Sequence, residues 1–353
     1  MLQLENPLHT NGFAFLEFAT INKNLLDKHF INLGFTKIGQ AEFKDVAVYQ
    51  QGGIFFFVDS GSNEKSREFA KVHGDSTSAM GFYVKNANNA FELAIKRGAV
   101  AFNIPQDSIW VGIPAIEGIG GSAIYFVEED NKYLSRFNIN HPNLYHDYGL
   151  HNIDHVTHNV YRGNMAKWAD FYTNIFGFRQ IRYFDIDGKM TGLFSKAMTS
   201  PCGKIKIPLN ESKDDKSQIE EFLKEFNGEG IQHIALTSRD IFSSVAQIYN
   251  SGVELLNTPD TYYELIDTRL PNHGEYIEQL KKFRILIDGT TTPQRKLLLQ
   301  IFTQNLIGPT FFEIIQRKGD EGFGEGNFKA LFDSIELDQV RRGVLTGYIN
   351  ATI

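Results

Sequence analysis

Three residues are out of keeping with their neighbours. Glu313 interrupts the apolar run Phe311 to Ile315, His155 lies within Ile153 to Val160, and His233 within Gly230 to Thr237. A carboxylate inside an apolar strand is costly unless something positive faces it. The residues that follow, Gln316, Arg317 and Lys318, are expected to leave the strand before a cation could reach its inner face. A bound metal ion would resolve all three anomalies. Two histidines and one carboxylate form the facial triad of non-haem Fe(II), with coordination positions left open. Neither a thiolate set nor an all-oxygen set is on offer. One Fe(II) per chain is the expectation.

The other histidines are read differently. Side chains alternate across a strand, so His155 and His158, three apart, face opposite ways and cannot share an ion. His141, His146 and His151 fall in an apparent linker, and His9, His29, His73 and His273 have no partner in view. All seven are expected at the solvated surface.

Spacing points to the elements that must hold the triad. His155 to His233 is 78 residues and His233 to Glu313 is 80, the pace of a structural repeat. Four segments end alike, at Gly34, Gly98, Gly177 and Gly252, each after helical apolar spacing such as Met165, Trp168, Tyr172 and Ile175. A glycine there predicts a left-handed helix C-cap. Each helix follows a β-prone run (Phe13 to Ala19, Ser78 to Val84, Ile153 to Val160, Gly230 to Thr237) and precedes further strands. The unit is strand, helix, strands, four times over, hence an α+β chain of two domains, each of paired βαβββ modules. Asn138 to Asn152, with Pro142 and several Asn and His, marks the join, giving domains 1–150 and 151–353. The first module's strand lacks His, and counting back from Gly98 as His233 counts from Gly252 reaches Ala79. The first domain is therefore expected to be metal-free, serving packing or oligomer contact.

A chain of 353 residues that is 42% hydrophobic can fill two cores, and a net charge of −7 without a basic block argues against nucleic acid or an anionic membrane as partner. No signal peptide or spanning apolar run is apparent, and Cys202 is the sole cysteine. A cytoplasmic protein acting on a small molecule is expected. Gly322 to Asn327 is glycine-rich but lacks the spacing of a phosphate loop. It reads as a turn into an amphipathic helix N-capped by Asn327, with Phe328, Leu331, Phe332 and Ile335 on one face. That helix could cover the site.

At Ile153 to Val160, Gly230 to His233, and Phe311 to Glu313 continuing through Gly322 to Phe332, the chain resembles the 4-hydroxyphenylpyruvate dioxygenase family of the vicinal-oxygen-chelate folds. The resemblance covers the C-terminal half closely and the N-terminal half loosely. It implies His155, His233 and Glu313 as ligands on an open, barrel-like sheet covered by a C-terminal helix. It further implies Gln300 and Phe302 beside the substrate, with Ser195, Asn210, Gln218 and Gln232 as polar residues that orient it or stand near the iron. Pro208 would shape the same wall, and Phe323, Phe328 and Phe332 the gate, with Phe328 stacking on the substrate ring. The implied reaction joins 4-hydroxyphenylpyruvate and O2 to give homogentisate and CO2, in a homo-oligomer, dimer or tetramer. A hydroxymandelate synthase would share the triad but is expected to carry an aliphatic residue in place of Phe328 and to depart from Pro208 and Asn210. A non-catalytic metal sensor, or a ring-cleaving enzyme using His158, would share only the fold and ligands.

Overall fold

The four glycines all take the left-handed backbone expected of them, with φ of +90° at Gly34, +99° at Gly98, +73° at Gly177 and +89° at Gly252. They close helices α1 (Lys23–Asn32), α3 (Ala87–Lys96), α4 (Met165–Phe176) and α6 (Ile241–Asn250). Outside this repeat stand α2 (Glu64–His73), α5 (Gln218–Phe226) and, among the described residues, shorter helices at Asp260–Glu264, Ile266–Arg269 and Ile277–Lys282 and from residue 325. The computed structural model describes residues 5–140, 147–187, 192–331 and 341.

Two eight-stranded mixed sheets carry the architecture. The first contains β1 (Thr10–Ala19), β2 (Thr36–Ala41), β3 (Val46–Gln51), β4 (Ile54–Asp59), β5 (Ser76–Val84), β6 (Ala115–Glu117), β7 (Ala123–Val127) and β8 (Phe137–Ile139), in the order β6-β7-β5-β1-β4-β3-β2-β8. The second contains β9 (Leu150–Val160), β10 (Arg179–Asp187), β11 (Gly192–Thr199), β12 (Lys206–Ser212), β13 (Gly230–Ser238), β14 (Leu286–Thr290), β15 (Lys296–Phe302) and β16 (Phe311–Lys318), ordered β10-β11-β12-β9-β13-β16-β15-β14. Sheet two curls as a half-barrel.

Three modules have the βαβββ plan, each closing with its last strand parallel to its first, as β1 with β4, β9 with β12, and β13 with β16. The second departs from it. After α3 only β6 and β7 follow, and β8 joins the far edge of the sheet beside β2. The irregular segment 102–114 takes the place of a strand; Pro105 and Pro114 cannot donate to a ladder, and the segment instead inserts Trp110 into the core. One apolar core runs continuously through the outer faces of both sheets and the helices on them. Phe30 of α1 meets Phe312 of β16 with ring centroids 6.5 Å apart, and Phe176 of α4 meets Phe82 of β5 at 5.5 Å. Leu150 already belongs to β9, so His151 is a strand residue rather than part of a linker, and its Nε2 lies 3.3 Å from the Thr237 hydroxyl.

Candidate metal centre

Strand alternation sorts β9 cleanly. Val156, His158 and Val160 join the helix-side core, whereas His155, Thr157 and Asn159 face into the curl of sheet two. His158 is fully buried against α4 and hydrogen-bonded to the Tyr172 hydroxyl at 2.7 Å; burial drives its pKa down to about 3, so it is neutral. On β13 the register slips between Ile231 and His233, with Gln232 as the extra residue of a bulge. The slip turns His233 inward.

Cross-strand pairing then assembles the triad in two adjacent rows. His155 pairs with Ala235, which pairs with Glu313; one step along, Thr157 pairs with His233, which pairs with Phe311. Ala235 leaves open the space that the three ligands converge upon. His155 Nε2 lies 3.2 Å and His233 Nε2 3.7 Å from Glu313 Oε2, and the ligand atoms of all three fall within 4.8 Å of one another. Glu313 is 2% exposed, and its Oε1 has no hydrogen-bond partner among the described residues. A buried carboxylate with one oxygen unpartnered among the described residues and the other facing two imidazole nitrogens fits a divalent cation of the kind held by N2O ligation.

Each imidazole is oriented from behind. Asp154 Oδ1 accepts from His155 Nδ1–H at 2.8 Å and Gln232 Oε1 from His233 Nδ1–H at 2.9 Å, leaving both Nε2 atoms to face the centre. The Thr157 hydroxyl lies 2.9 Å from His233 Nε2, to which it donates. Burial disfavours the charged form of His155, but Glu313 and Asp154 outweigh it and raise its pKa; burial and then the neighbouring His155 push His233 well below its usual value.

Arg317 corrects the sequence-based expectation. It stays within β16 on the face of Glu313, but its guanidinium is held by Asp154, with Nε to Oδ2 and Nη2 to Oδ1 both at 2.8 Å. Burial alone would raise the Asp154 pKa; Arg317 and His155 reverse that and hold it far below the carboxylate range. Through Nη1 Arg317 also donates to the carbonyls of Asp320 and Gly322, and its guanidinium stands 5.7 Å from the Phe323 ring centroid, which itself lies 5.2 Å from that of His155. One side chain joins the ligand strand, the orienting carboxylate and the glycine-rich turn.

A cavity of about 520 Å³, partly open to solvent, lies over the triad. Ser195 and Asn210, paired across β11 and β12, form the opposite wall with Pro208. Phe302, Phe323 and Phe328 also line it, joined by Thr157, Phe184, Ile186, Leu193 and Glu325, which no sequence signal marks. Gln300 is on β15 but lies beneath the turn, outside the cavity wall, with its Oε1 unpartnered among the described residues. Gln232 acts on His233 rather than lining the cavity. Gln218 is exposed at the first turn of α5, whose buried face is Ile219, Phe222, Leu223 and Phe226, so its amide does not reach the cavity. The helix after the turn begins at residue 325, not after Asn327. Asn327 is buried inside it and accepts from the Tyr262 hydroxyl at 2.7 Å, while Asp288 Oδ2 accepts from Gly326 N at 2.8 Å. Phe332 and Ile335 lie outside the described residues. Among the histidines expected at the surface, His273 is buried against Asp267 and Glu275, and His73 bonds the Phe226 carbonyl of the other half.

The rows recur in sheet one with other residues. Phe15–Gly81–Tyr125 occupies the register of His155–Ala235–Glu313, and Glu17–Ala79–Ala123 that of Thr157–His233–Phe311. Phe15 stacks on Trp110 at 4.9 Å and fills the space that the ligands leave open in sheet two. A Cβ on Gly81 would come within 2.4 Å of the Phe15 ring, which is why glycine stands there.

Residues 4–142 match the family described as hydroxyphenylpyruvate dioxygenase, N-terminal, and residues 152–265 the glyoxalase/bleomycin resistance protein/dioxygenase superfamily. The chain is 54% identical to a 4-hydroxyphenylpyruvate dioxygenase of Legionella pneumophila, over 98% of this chain and 99% of the relative. It is 48% identical to that of Pseudomonas aeruginosa, over 98% of each. A variant of 4-hydroxymandelate synthase from Streptomyces coelicolor superposes with a TM-score of 0.77 at 25% identity, covering 94% of this chain and 99% of that one.

Proposed function

Because the chain belongs to the 4-hydroxyphenylpyruvate dioxygenase family, we propose that it converts 4-hydroxyphenylpyruvate and O2 to homogentisate and CO2 in tyrosine and phenylalanine catabolism, using one Fe(II) per chain held by His155, His233 and Glu313. The single observation that carries the iron assignment is the buried Glu313 carboxylate, with Oε2 facing two imidazoles whose other nitrogens are already committed and Oε1 unpartnered among the described residues. Bound there, Fe(II) would supply the open positions at which a 2-oxo acid chelates and O2 is reduced.

The chain's own residues supply orientation and dryness. Ser195 and Asn210 offer a hydroxyl and an amide to the substrate phenol from the wall opposite the triad, and Pro208 fixes the backbone between them and the metal. Phe328 reaches in from the covering helix and stacks on the substrate ring, worth roughly 0.5–1.5 kcal/mol beyond its burial. Phe323, packed on His155, closes the near side and keeps water from the reacting centre. Gln300 would offer its amide to the substrate from beneath the turn. The domains divide near residue 150, the N-terminal one serving packing and assembly into a homo-oligomer in the cytoplasm.

The test is anaerobic loading with Fe(II), addition of 4-hydroxyphenylpyruvate and O2, and separation of products. Homogentisate with matched CO2 release is expected from the wild type, no turnover from Glu313→Ala, and a shift toward hydroxymandelate or uncoupled oxo-acid consumption from Phe328→Ile. Hydroxymandelate from the wild type would overturn the pocket assignment.

A further inference from the structure

The N-terminal half holds a second cavity, of about 450 Å³ and open at one side, built on the row Glu17–Ala79–Ala123. Where sheet two places the His233 imidazole and the Phe311 ring, sheet one places two alanines, and the volume they leave is not refilled. The polar atoms around it are unusual. Glu17, 6% exposed, lines the cavity with Oε2 lacking a hydrogen-bond partner among the described residues, and the same holds for Trp110 Nε1 and Ser66 Oγ. Its neighbour Asp59 is in contrast well satisfied, accepting from Ser62 N and Oγ at 2.7 Å and from Asn63 Nδ2 at 3.3 Å. Burial, and the charge of Asp59 behind it, hold the Glu17 carboxyl well above its usual range, an effect that a weak contact from the Trp110 indole N–H only partly offsets. Phe69, Phe102 and Tyr125 supply apolar walls.

A buried acceptor and a buried donor that make no well-formed hydrogen bond among the described residues face one aromatic slot, and together they specify their complement. We propose that this cavity binds a small planar molecule whose edge carries a hydrogen-bond donor beside an acceptor, as a primary carboxamide does. Its N–H would meet Glu17 Oε2 and its carbonyl the Trp110 indole N–H. The pairing survives either protonation state, because a carboxylic acid also offers a donor beside an acceptor. A free carboxylate suits the slot poorly, since Glu17 and Asp59 both stand behind it. An organic ammonium is disfavoured at the mouth, where the Lys65 ammonium already lies 4.2 Å from the Phe102 ring centroid.

The chain has two tryptophans, Trp110 and Trp168, so fluorotryptophan labelling and fluorine NMR of the full-length protein give a readout specific to the slot, with Trp168→Phe assigning the signals. Titrated benzamide should shift the Trp110 signal saturably and leave that of Trp168 in place. Glu17→Leu should weaken binding about tenfold or more, the effect of stranding one buried hydrogen-bonding group, while Glu17→Gln, which keeps a donor and an acceptor, should retain it. If Glu17→Leu does not fold, Ala79→Leu, which fills the slot, should abolish the shift. A stronger response to benzylammonium or benzoate than to benzamide, no saturable response, or unchanged binding by the folded leucine variant would each overturn the proposal.

Discussion

Arg317 shows how far a ligand's geometry is set beyond the ligand itself. Replacing it with Met strands the Asp154 carboxylate in a buried site and releases both the His155 orientation and the Gly322 carbonyl. Metal affinity is expected to fall about 10- to 100-fold, the usual cost of losing an outer-shell partner, measured by chelator competition on the apo protein. Arg317→Lys should recover only part of it, since an ammonium cannot fork across both carboxylate oxygens. Unchanged affinity in the Met variant would remove Arg317 from any positioning role. His155, His233 and Glu313 were legible in the sequence because each is polar in an apolar strand. The Asp154 to Arg317 pair was not, being 163 residues apart with no local signature. Gln218 misled because its chemistry suits a phenol while its position, one residue past the N-cap Ser217, turns it to solvent.

Among the elements, the four helix-ending glycines could be read directly, since a left-handed cap has few other solutions. The start of the covering helix could not. Asn327 is a good capping residue, but Gly324 takes φ of +74° and Asp288 accepts from Gly326 N, so the helix begins three residues early and Asn327 is drawn inside toward Tyr262. Gly324 is also where the turn touches the sheet, since a Cβ there would lie 2.2 Å from Gln300 Nε2. Gly324→Ala combines that clash with an unfavourable φ and is expected to lift the turn off the sheet. CO2 release should then exceed homogentisate formation as the site wets, a ratio read from radiolabelled substrate; a ratio of one would show that the turn seats without the contact. The Gln232 bulge was equally hidden, because it depends on the register with β9 rather than on any turn residue.

Taken together, the two halves meet at places a sequence cannot mark. Gly120 takes φ of +60°, and a Cβ there would lie 2.0 Å from the Glu229 carbonyl oxygen of the other half. Glu229 in turn accepts from Tyr161 N, Asn164 Nδ2 and Trp168 Nε1, so that junction organises the start of α4. Gly120→Ala should destabilise the fold by about 1–3 kcal/mol and lower the melting temperature. A single calorimetric transition that stays single would reflect the continuous core; two separated transitions would show that the halves unfold independently. The fourfold plan was visible from spacing, whereas the missing strand of the second module was not, because nothing local distinguishes a proline-broken strand from a loop.

The matching rows of the two sheets also have an evolutionary reading. A duplicated frame keeps the same three stations in both copies, and what occupies them decides whether a copy becomes a reaction vessel or a girder. Phe15 and Tyr125 plug one copy while His155 and Glu313 arm the other, so catalysis could specialise in one half without rebuilding its backbone. The plugged copy remains a ready chassis, in which His at positions 15 and 79 and Glu at 125 would be the first edit for anyone wishing to engineer a second centre.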